Sequence, residues 1–283
     1  MTIGEFTLSI IVVHHRTPGL LRECLVSIAR VGARRHEVLV VDVPDDAGRH
    51  WAPTKEELAQ ATILPRLRIL RMESNLGYGA ACNLGSACTT GQALLFLNAD
   101  VRLDPGDLSG YMSAFAADET LGLAGFTLWE THRNPAPSRL EFPRGPGRIF
   151  WNLAVHRRPR REEAQAIVLP VTGVDPLPAD WVLGAAMLVR RKAFDAIGGF
   201  DEKFFLYFEE VDLCRRLWSA GWRVVTLPTA RAFHMHGASS SDYPQGKLHA
   251  IRYASQKRYF RKHHGRIGWI AGALDRSCLR WRL

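Results

Sequence analysis

The sequence has few cysteines and no long apolar segment, and both absences limit what the chain can be. Its 283 residues include five scattered cysteines, and none forms a Cys-x-x-Cys pair. This argues against a disulfide scaffold and a structural zinc site and is typical of a reducing cytoplasm. No uninterrupted apolar run approaches the roughly 20 residues that cross a bilayer, and residues 1–8 lack the basic segment of a secretory signal. We therefore expect a cytoplasmic protein, soluble or attached to a membrane surface.

Most of the chain also lacks an excess of either charge. The net charge is +9, but residues 1–246 carry equal numbers of basic and acidic side chains. Residues 247–283 hold ten lysines or arginines and one acid, so the excess lies in this basic tail. Its mixture of cations and aromatics favours a helix on an anionic membrane surface, peripheral to the inner face of the plasma membrane. A helix packed on the core is an alternative; no nucleic acid is expected, because no nucleic-acid-binding module is recognisable.

Apolar runs alternate with helical patterns through the first 130 residues. The runs that predict strands lie at 8–14, 38–41, 67–70 and 93–97. Helical patterns separate them, one beginning at Pro18 and a short one at 55–61. This alternation predicts an α/β fold with a parallel, doubly wound sheet. Ligands of such sheets bind at the carboxyl ends of the strands, where this chain places Asp42, Asn75 and Asp100.

The rest of the chain divides into three segments. Residues 131–178 contain eight prolines and no sustained period, which predicts a long loop or insertion. Regular patterns return in residues 179–246, including a helix at 209–220 with acids in its first turn. The basic tail, residues 247–283, is predicted to be helical.

Polar residues follow three of the predicted strands. Asp42 ends the second strand and suits hydrogen bonding to a nucleobase or ribose, although a turn role is the simpler explanation. Asn98 and Asp100 end the fourth strand and point the same way, which suits a divalent cation and its diphosphate; both are also ordinary turn formers. His234 and His236 follow the last strand, either as metal ligands or as satisfied single histidines.

Two further motifs carry chemistry. The segment Asn75–Asn83, Asn-Leu-Gly-Tyr-Gly-Ala-Ala-Cys-Asn, resembles a glycine loop that opens a helix and binds anions, but it does not fit a dinucleotide fingerprint. A plain helix entry explains its glycines about equally well. Glu209, Glu210 and Asp212 begin a helix directly after five apolar residues, four of them aromatic. The helix dipole explains part of this cluster. Partial desolvation would favour a general base, so capping and catalysis are equal alternatives.

The order of these motifs resembles the family-2 glycosyltransferases of the rhamnosyltransferase-like branch. The resemblance spans about residues 8–265 and is most specific between Gly198-Gly-Phe-Asp-Glu and Asp212-Leu-Cys. It implies a GT-A (Rossmann-like) fold, with a mostly parallel central sheet and helices on both faces, over residues 1–246. Residues 1–130 would be the nucleotide-binding half and residues 179–246 the acceptor and catalytic half. The implied reaction is an inverting transfer from a nucleoside-diphosphate sugar, dTDP-rhamnose-like or a UDP-sugar, to a glycan or polyprenyl-linked acceptor.

The resemblance also implies roles for individual residues. The residues implied at the donor are Asp42, Asn75, Gly77, Asn83 and Asn98. The residues implied at a Mg²⁺ or Mn²⁺ ion are Asp100, His234 and, as second choice, His236. Glu210 occupies the place of the family's usual general-base aspartate, with Glu209 and Asp212 beside it.

Two departures from the family pattern keep alternatives open. Glu210 adds one methylene to the usual base, and His15 replaces the usual asparagine after the first strand. A nucleotide-sugar-binding protein without catalysis is therefore one alternative. A nucleotidyltransferase is another, although the chain lacks a glycine-rich, lysine-containing triphosphate loop after its first strand.

Overall fold

The computed structural model describes residues 7–32, 36–51, 64–104, 108–131, 134–135, 140, 142, 176–235 and 244–274. Its strands are β1 Leu8–His14, β2 Glu37–Asp42, β3 Leu67–Arg71, β4 Ala93–Asn98, β5 Val101–Leu103, β6 Leu121–Thr131, β7 Asn134–Pro135, β8 Leu177–Pro178, β9 Ala186–Arg190 and β10 Arg223–His234. Its helices are α1 Pro18–Arg30, α2 Tyr78–Ala87, α3 Leu108–Ala117, α4 Arg191–Ala196, α5 Glu209–Ser219 and α6 Gln245–Leu274. The helix predicted at 55–61, most of 131–178 and His236 lie outside the described residues.

All ten of these strands belong to one sheet. The main order is β3-β2-β1-β4-β9-β6-β10-β5, with β7 paired to β6 and β8 to β10. The first four strands in this order are mutually parallel, which confirms the parallel sheet predicted for the first half. Beyond them the sheet is mixed, because β9 runs antiparallel to both of its neighbours while β6 and β10 are parallel. The α/β class is confirmed.

Helices cover both faces of this sheet. Side chains of β1 alternate between two cores, with Ile10 facing one and Ile11 the other. The first core includes α1 and α3, and the second includes α2, α4, α5 and α6. Burial on both faces explains why the strand sequences are continuous apolar runs. Cys24, Cys82 and Cys214 lie buried in these cores as free thiols.

The described part of the basic tail packs on the second core. It forms α6, which is interrupted at Gly265, where φ is 67°. Tyr259 and Phe260 are buried, so these two aromatics do not face a membrane. The membrane-surface prediction therefore depends on exposed side chains such as Arg261 and Ile270, and it stays a prediction. Among the described residues, no helix combines the length and apolarity needed to span a bilayer.

Helix α2 approaches β1 closely because residue 85 is glycine. A Cβ atom built on Gly85 would lie 2.5 Å from Ile11 Cγ2. We predict that Gly85→Ala lowers the free energy of unfolding by about 1–3 kcal/mol through overpacking. Urea denaturation measures this, with Gly19→Ala in α1 as control, because nothing lies within 4 Å of a Cβ there. An equally stable Gly85→Ala protein would contradict the close packing.

Candidate active site

Asp42 is buried, and both of its carboxylate oxygens have partners within the chain. Thr17 N–H donates to His14 Nε2 at 3.2 Å, so the proton of this ring lies on Nδ1 and is donated to Asp42 Oδ1 at 2.8 Å. Asp42 Oδ2 accepts from Trp51 N–H at 3.1 Å and lies 3.0 Å from His50 Nδ1. Within this group the His50 side chain retains 23% exposure, whereas that of Asp42 retains 1%. Asp42 therefore orients the residues around it.

The glycine loop is held against the segment that precedes α5. Asn75 Oδ1 accepts a hydrogen bond from Gly77 N–H at 3.0 Å, which closes the turn. Gly77 has a φ of 98°, and a Cβ on it would lie 2.2 Å from the carbonyl oxygen of Phe205. Tyr78 N–H donates to that same carbonyl at 3.1 Å. Only glycine fits at position 77, because both its conformation and the contact exclude a side chain.

Asn83 joins α2 to the segment that follows α4. Its Nδ2 donates to the Phe200 carbonyl at 3.0 Å and to Glu202 Oε1 at 2.9 Å, while its Oδ1 accepts from Phe200 N–H at 2.8 Å. Both polar atoms of this amide therefore bind protein groups, and Asn83 fixes the Gly-Gly-Phe-Asp-Glu motif. The predicted donor contact stays a prediction.

Asp100 and His234 meet where β5 pairs with the end of β10. His234 lies opposite Val101 in the antiparallel ladder, and Met235 N–H donates to the Asp100 carbonyl at 3.0 Å. The distance from His234 Nε2 to Asp100 Oδ1 is 3.2 Å. That oxygen is buried and accepts no well-aligned hydrogen bond from the described residues.

This pair fits a cation that is shared with a substrate. In the described part of the chain, no group of three or more histidine, cysteine or acidic side chains forms a closed metal site. A Mg²⁺ or Mn²⁺ ion that carries phosphates needs only one or two protein ligands, with phosphates and water as the others. Asp100 and His234 supply that number.

Glu209 and Glu210 lie at the start of α5, where burial raises the pKa of both carboxyl groups. Burial, together with the neighbouring Glu210, raises the pKa of Glu209 well above its ordinary value. Burial also raises the pKa of Glu210 to about 7, although local backbone hydrogen bonds and the charge of Arg252 act in the opposite direction. A carboxyl group with a pKa near 7 is suited to accept a proton at neutral pH.

Asp212, one turn further along α5, has a different environment. Burial would raise its pKa, but His263, Arg216 and Lys262 more than compensate and lower it. Arg216 Nε lies 2.7 Å from its Oδ2, and Lys262 Nζ and His263 Nε2 each lie 2.7 Å from its Oδ1. This carboxylate is ionised and lies between the cations Arg216 and Lys262, so its geometry suits an anchor between helices.

Gly184 and Ala185, just before β9, join the predicted site segments. The Gly184 carbonyl accepts from Tyr78 OH at 2.8 Å, and its N–H donates to the carboxylate of Glu210. The Ala185 carbonyl accepts from Asn98 N–H at 2.9 Å, at the carboxyl end of β4. Gly184 and Ala185 thus contact three predicted site segments: the glycine loop, the end of β4 and the start of α5 with Glu210. The sequence analysis missed Gly184, whose signal was a glycine within an otherwise apolar segment.

Comparison with known proteins identifies the family. Residues 9–168 match the model of Glycosyl transferase family 2, and residues 141–274 match Glycosyl transferase family group 2. The chain is 29% identical over 286 aligned positions to the N-acetylglucosaminyl-diphospho-decaprenol L-rhamnosyltransferase of Mycobacterium tuberculosis, covering 93% of this chain and 84% of that protein. It is also 46% identical over 84 residues to rhamnosyltransferase WbbL of Escherichia coli, which is 28% of this chain and 32% of WbbL.

Solved structures share the fold at low sequence identity. GalNAc-T7 with UDP, GalNAc and Mn²⁺ matches with a TM-score of 0.61 and 15% identity, over 93% of this chain but only 51% of that protein. Mannosyltransferase PcManGT of Pyrobaculum calidifontis, with GDP-Man and Mn²⁺, matches with a TM-score of 0.57 and 16% identity over 98% of this chain and 76% of PcManGT. These likenesses confirm the GT-A fold. The chain is therefore a glycosyltransferase and belongs to glycosyl transferase family 2, in its rhamnosyltransferase-like branch.

Proposed function

We propose that this enzyme transfers a rhamnose-like sugar from a nucleoside-diphosphate donor to a hydroxyl of a polyprenyl-diphosphate-linked glycan, with inversion. The similarity to a rhamnosyltransferase that is named for a diphospho-decaprenol acceptor supports this choice. A dTDP-sugar is the first candidate donor and a UDP-sugar the second. The observation that carries the proposal is the convergence of the glycine loop, β4 and Glu210 on Gly184 and Ala185.

The donor would lie along the carboxyl ends of the parallel strands. At its nucleoside end, Asp42 acts through His50 and Trp51, because its own oxygens are buried and engaged. At its diphosphate end, Asp100 and His234 would hold Mg²⁺ or Mn²⁺, which when bound supplies positive charge to the leaving nucleoside diphosphate. The Asn75–Gly77 turn would line the sugar side, since it lies against the segment that leads to Glu210.

Glu210 would act as the general base. Its carboxylate takes the proton of the acceptor hydroxyl while that oxygen forms a bond to the anomeric carbon. The bond from the anomeric carbon to the diphosphate oxygen breaks on the opposite face, and its electron pair leaves with the nucleoside diphosphate. A single displacement inverts the configuration. The pKa of the neighbouring Glu209 is raised well above its ordinary value by burial and by the charge of Glu210.

The family match favours this reaction over the two alternatives raised by the sequence. A nucleotidyltransferase would release pyrophosphate, and family 2 is a glycosyltransferase family. A binding protein without catalysis would need no base, whereas Glu210 has a carboxyl whose pKa lies near 7. Nucleotide binding without turnover on any donor or acceptor would favour the binding protein.

We predict that Glu210→Gln lowers turnover by about 100-fold or more, because the amide accepts no proton. Release of dTDP or UDP from a panel of sugar nucleotides, with a soluble GlcNAc-diphosphate-lipid analogue, measures this. In the native enzyme, turnover should rise with pH through about 7 as Glu210 ionises. The control is Glu202→Gln, which removes an acid that instead binds Asn83. Undiminished turnover in Glu210→Gln would remove the proposed base.

We predict that Asp100→Asn abolishes the Mn²⁺-dependent part of nucleotide binding, a loss of at least about tenfold in affinity. Calorimetric titration with dTDP and UDP, with Mn²⁺ and with EDTA, separates that part from the rest. Asp104→Asn is the matched control, because it removes a carboxylate four residues further on. Binding that responds equally to Mn²⁺ in Asp100→Asn and in the native enzyme would exclude Asp100 as a ligand.

A further inference from the structure

The segment between Asp201 and Asp212 contains a strained corner immediately before α5, the helix that carries Glu210. Tyr207 and Phe208 have φ values of 67° and 68°, two consecutive non-glycine residues in the left-handed region. Such a conformation costs free energy and persists only where surrounding contacts impose it. Phe208 is also the N-cap of α5, so this corner sets the direction in which the Glu210 side chain leaves the helix.

Helix α6 contacts both residues of this corner and the residue before it. The contacts are Leu206, whose carbonyl accepts from Ser255 Oγ at 2.8 Å; Tyr207, whose ring lies 4.3 Å from the Arg252 guanidinium; and Phe208, whose ring lies 5.5 Å from that of Tyr259. Ser255 and Tyr259 are buried, so these contacts belong to the core. These polar and aromatic residues of α6 therefore support the segment that leads to the proposed base.

One cation of α6 joins the two ends of the segment. Lys262 Nζ lies 2.8 Å from Asp201 Oδ2 and 2.7 Å from Asp212 Oδ1. Asp212 is fully buried, so its ion pairs are screened less than pairs at the surface. Each carboxylate also has another partner, because Arg258 binds Asp201 and Arg216 binds Asp212. His263, also on α6, lies 2.7 Å from Asp212 Oδ1. Loss of Lys262 would thus leave neither carboxylate unpaired, but it would remove the single side chain, among the described residues, that contacts both of them.

We propose that α6 is a brace for the catalytic segment and that Lys262 is a positioning residue for Glu210. The inference rests on the proposed function of Glu210 as base. By tying Asp201 to Asp212, the ammonium group fixes the distance between the ends of the segment and keeps the corner at residues 207–208 closed. Lys262 touches no reacting atom and acts only through this geometry. A displacement of the base by about 1 Å is enough to slow a transfer reaction substantially.

Three variants test the brace. Lys262→Met removes the ammonium group and keeps much of the apolar stem. Lys262→Arg keeps a cation that can reach two carboxylates. Arg261→Met is the matched control, because it removes an exposed charge at the neighbouring position. We expect Lys262→Met to lower kcat about 10- to 100-fold, with the KM for the donor changed less than about twofold. Lys262→Arg should recover most of kcat, and Arg261→Met should match the native enzyme.

A second measurement does not depend on activity. Hydrogen exchange of the amides in residues 203–211 should be faster in Lys262→Met, with the exchange of β1 and β4 unchanged. A kcat of Lys262→Met equal to that of the native enzyme would contradict the proposal. A loss of kcat in Arg261→Met as large as that in Lys262→Met would also contradict it, because it would indicate a general effect of charge. If Glu210→Gln retains full turnover, the proposed function fails instead, and the two failures are thereby distinguished.

Discussion

The burial of two adjacent carboxyl groups at the start of α5 is the constraint on which the site depends. Removing a carboxylate from water is costly, and here burial raises the pKa of both Glu209 and Glu210. The fold offsets part of this cost for Glu210 with backbone N–H donors, including that of Gly184, and with the charge of Arg252. The result is a carboxyl group with a pKa of about 7, which can both take up and release a proton near neutral pH.

Several contacts between distant parts of the described chain support this pair and the strand ends near it. The glycine loop contributes Tyr78, β4 contributes Asn98, and both bind the two residues that precede β9. The antiparallel pairing of β5 with β10 brings Asp100 to His234, which are 134 positions apart in the sequence. Helix α6 then closes the far side through its contacts with residues 206–208. The antiparallel strands β9 and β5 make two of these contacts possible, because β9 follows Gly184 and Ala185 beside β4, and β5 follows Asp100 beside β10.

The sequence predicted the local features well, because they depend on short-range patterns. The run at 8–14 became β1 with the same bounds, and the glycine loop did open a helix. Partners that are distant in the sequence were not predicted. Nothing near Asp212 indicates that Lys262, 50 residues later, forms an ion pair with it. Nor does the local sequence indicate that the pKa of Glu210, in the same helix, is raised. Asp42 was expected to be an available acceptor, but β1 supplies His14 as its partner. Likewise, Arg258 and Lys262 of the tail have acidic partners within the fold that composition does not reveal.

The pH dependence of stability tests the central claim about Glu210 most directly. A carboxyl whose pKa is raised to about 7 in the folded protein, from 4.5 in the unfolded chain, makes folding progressively less favourable as pH rises through that interval. Glu210→Gln does not titrate at this position, so the free energies of unfolding of the two proteins should diverge between about pH 4.5 and pH 7, with the variant gaining stability relative to the native protein. A difference between them that stays constant across this range would contradict the account.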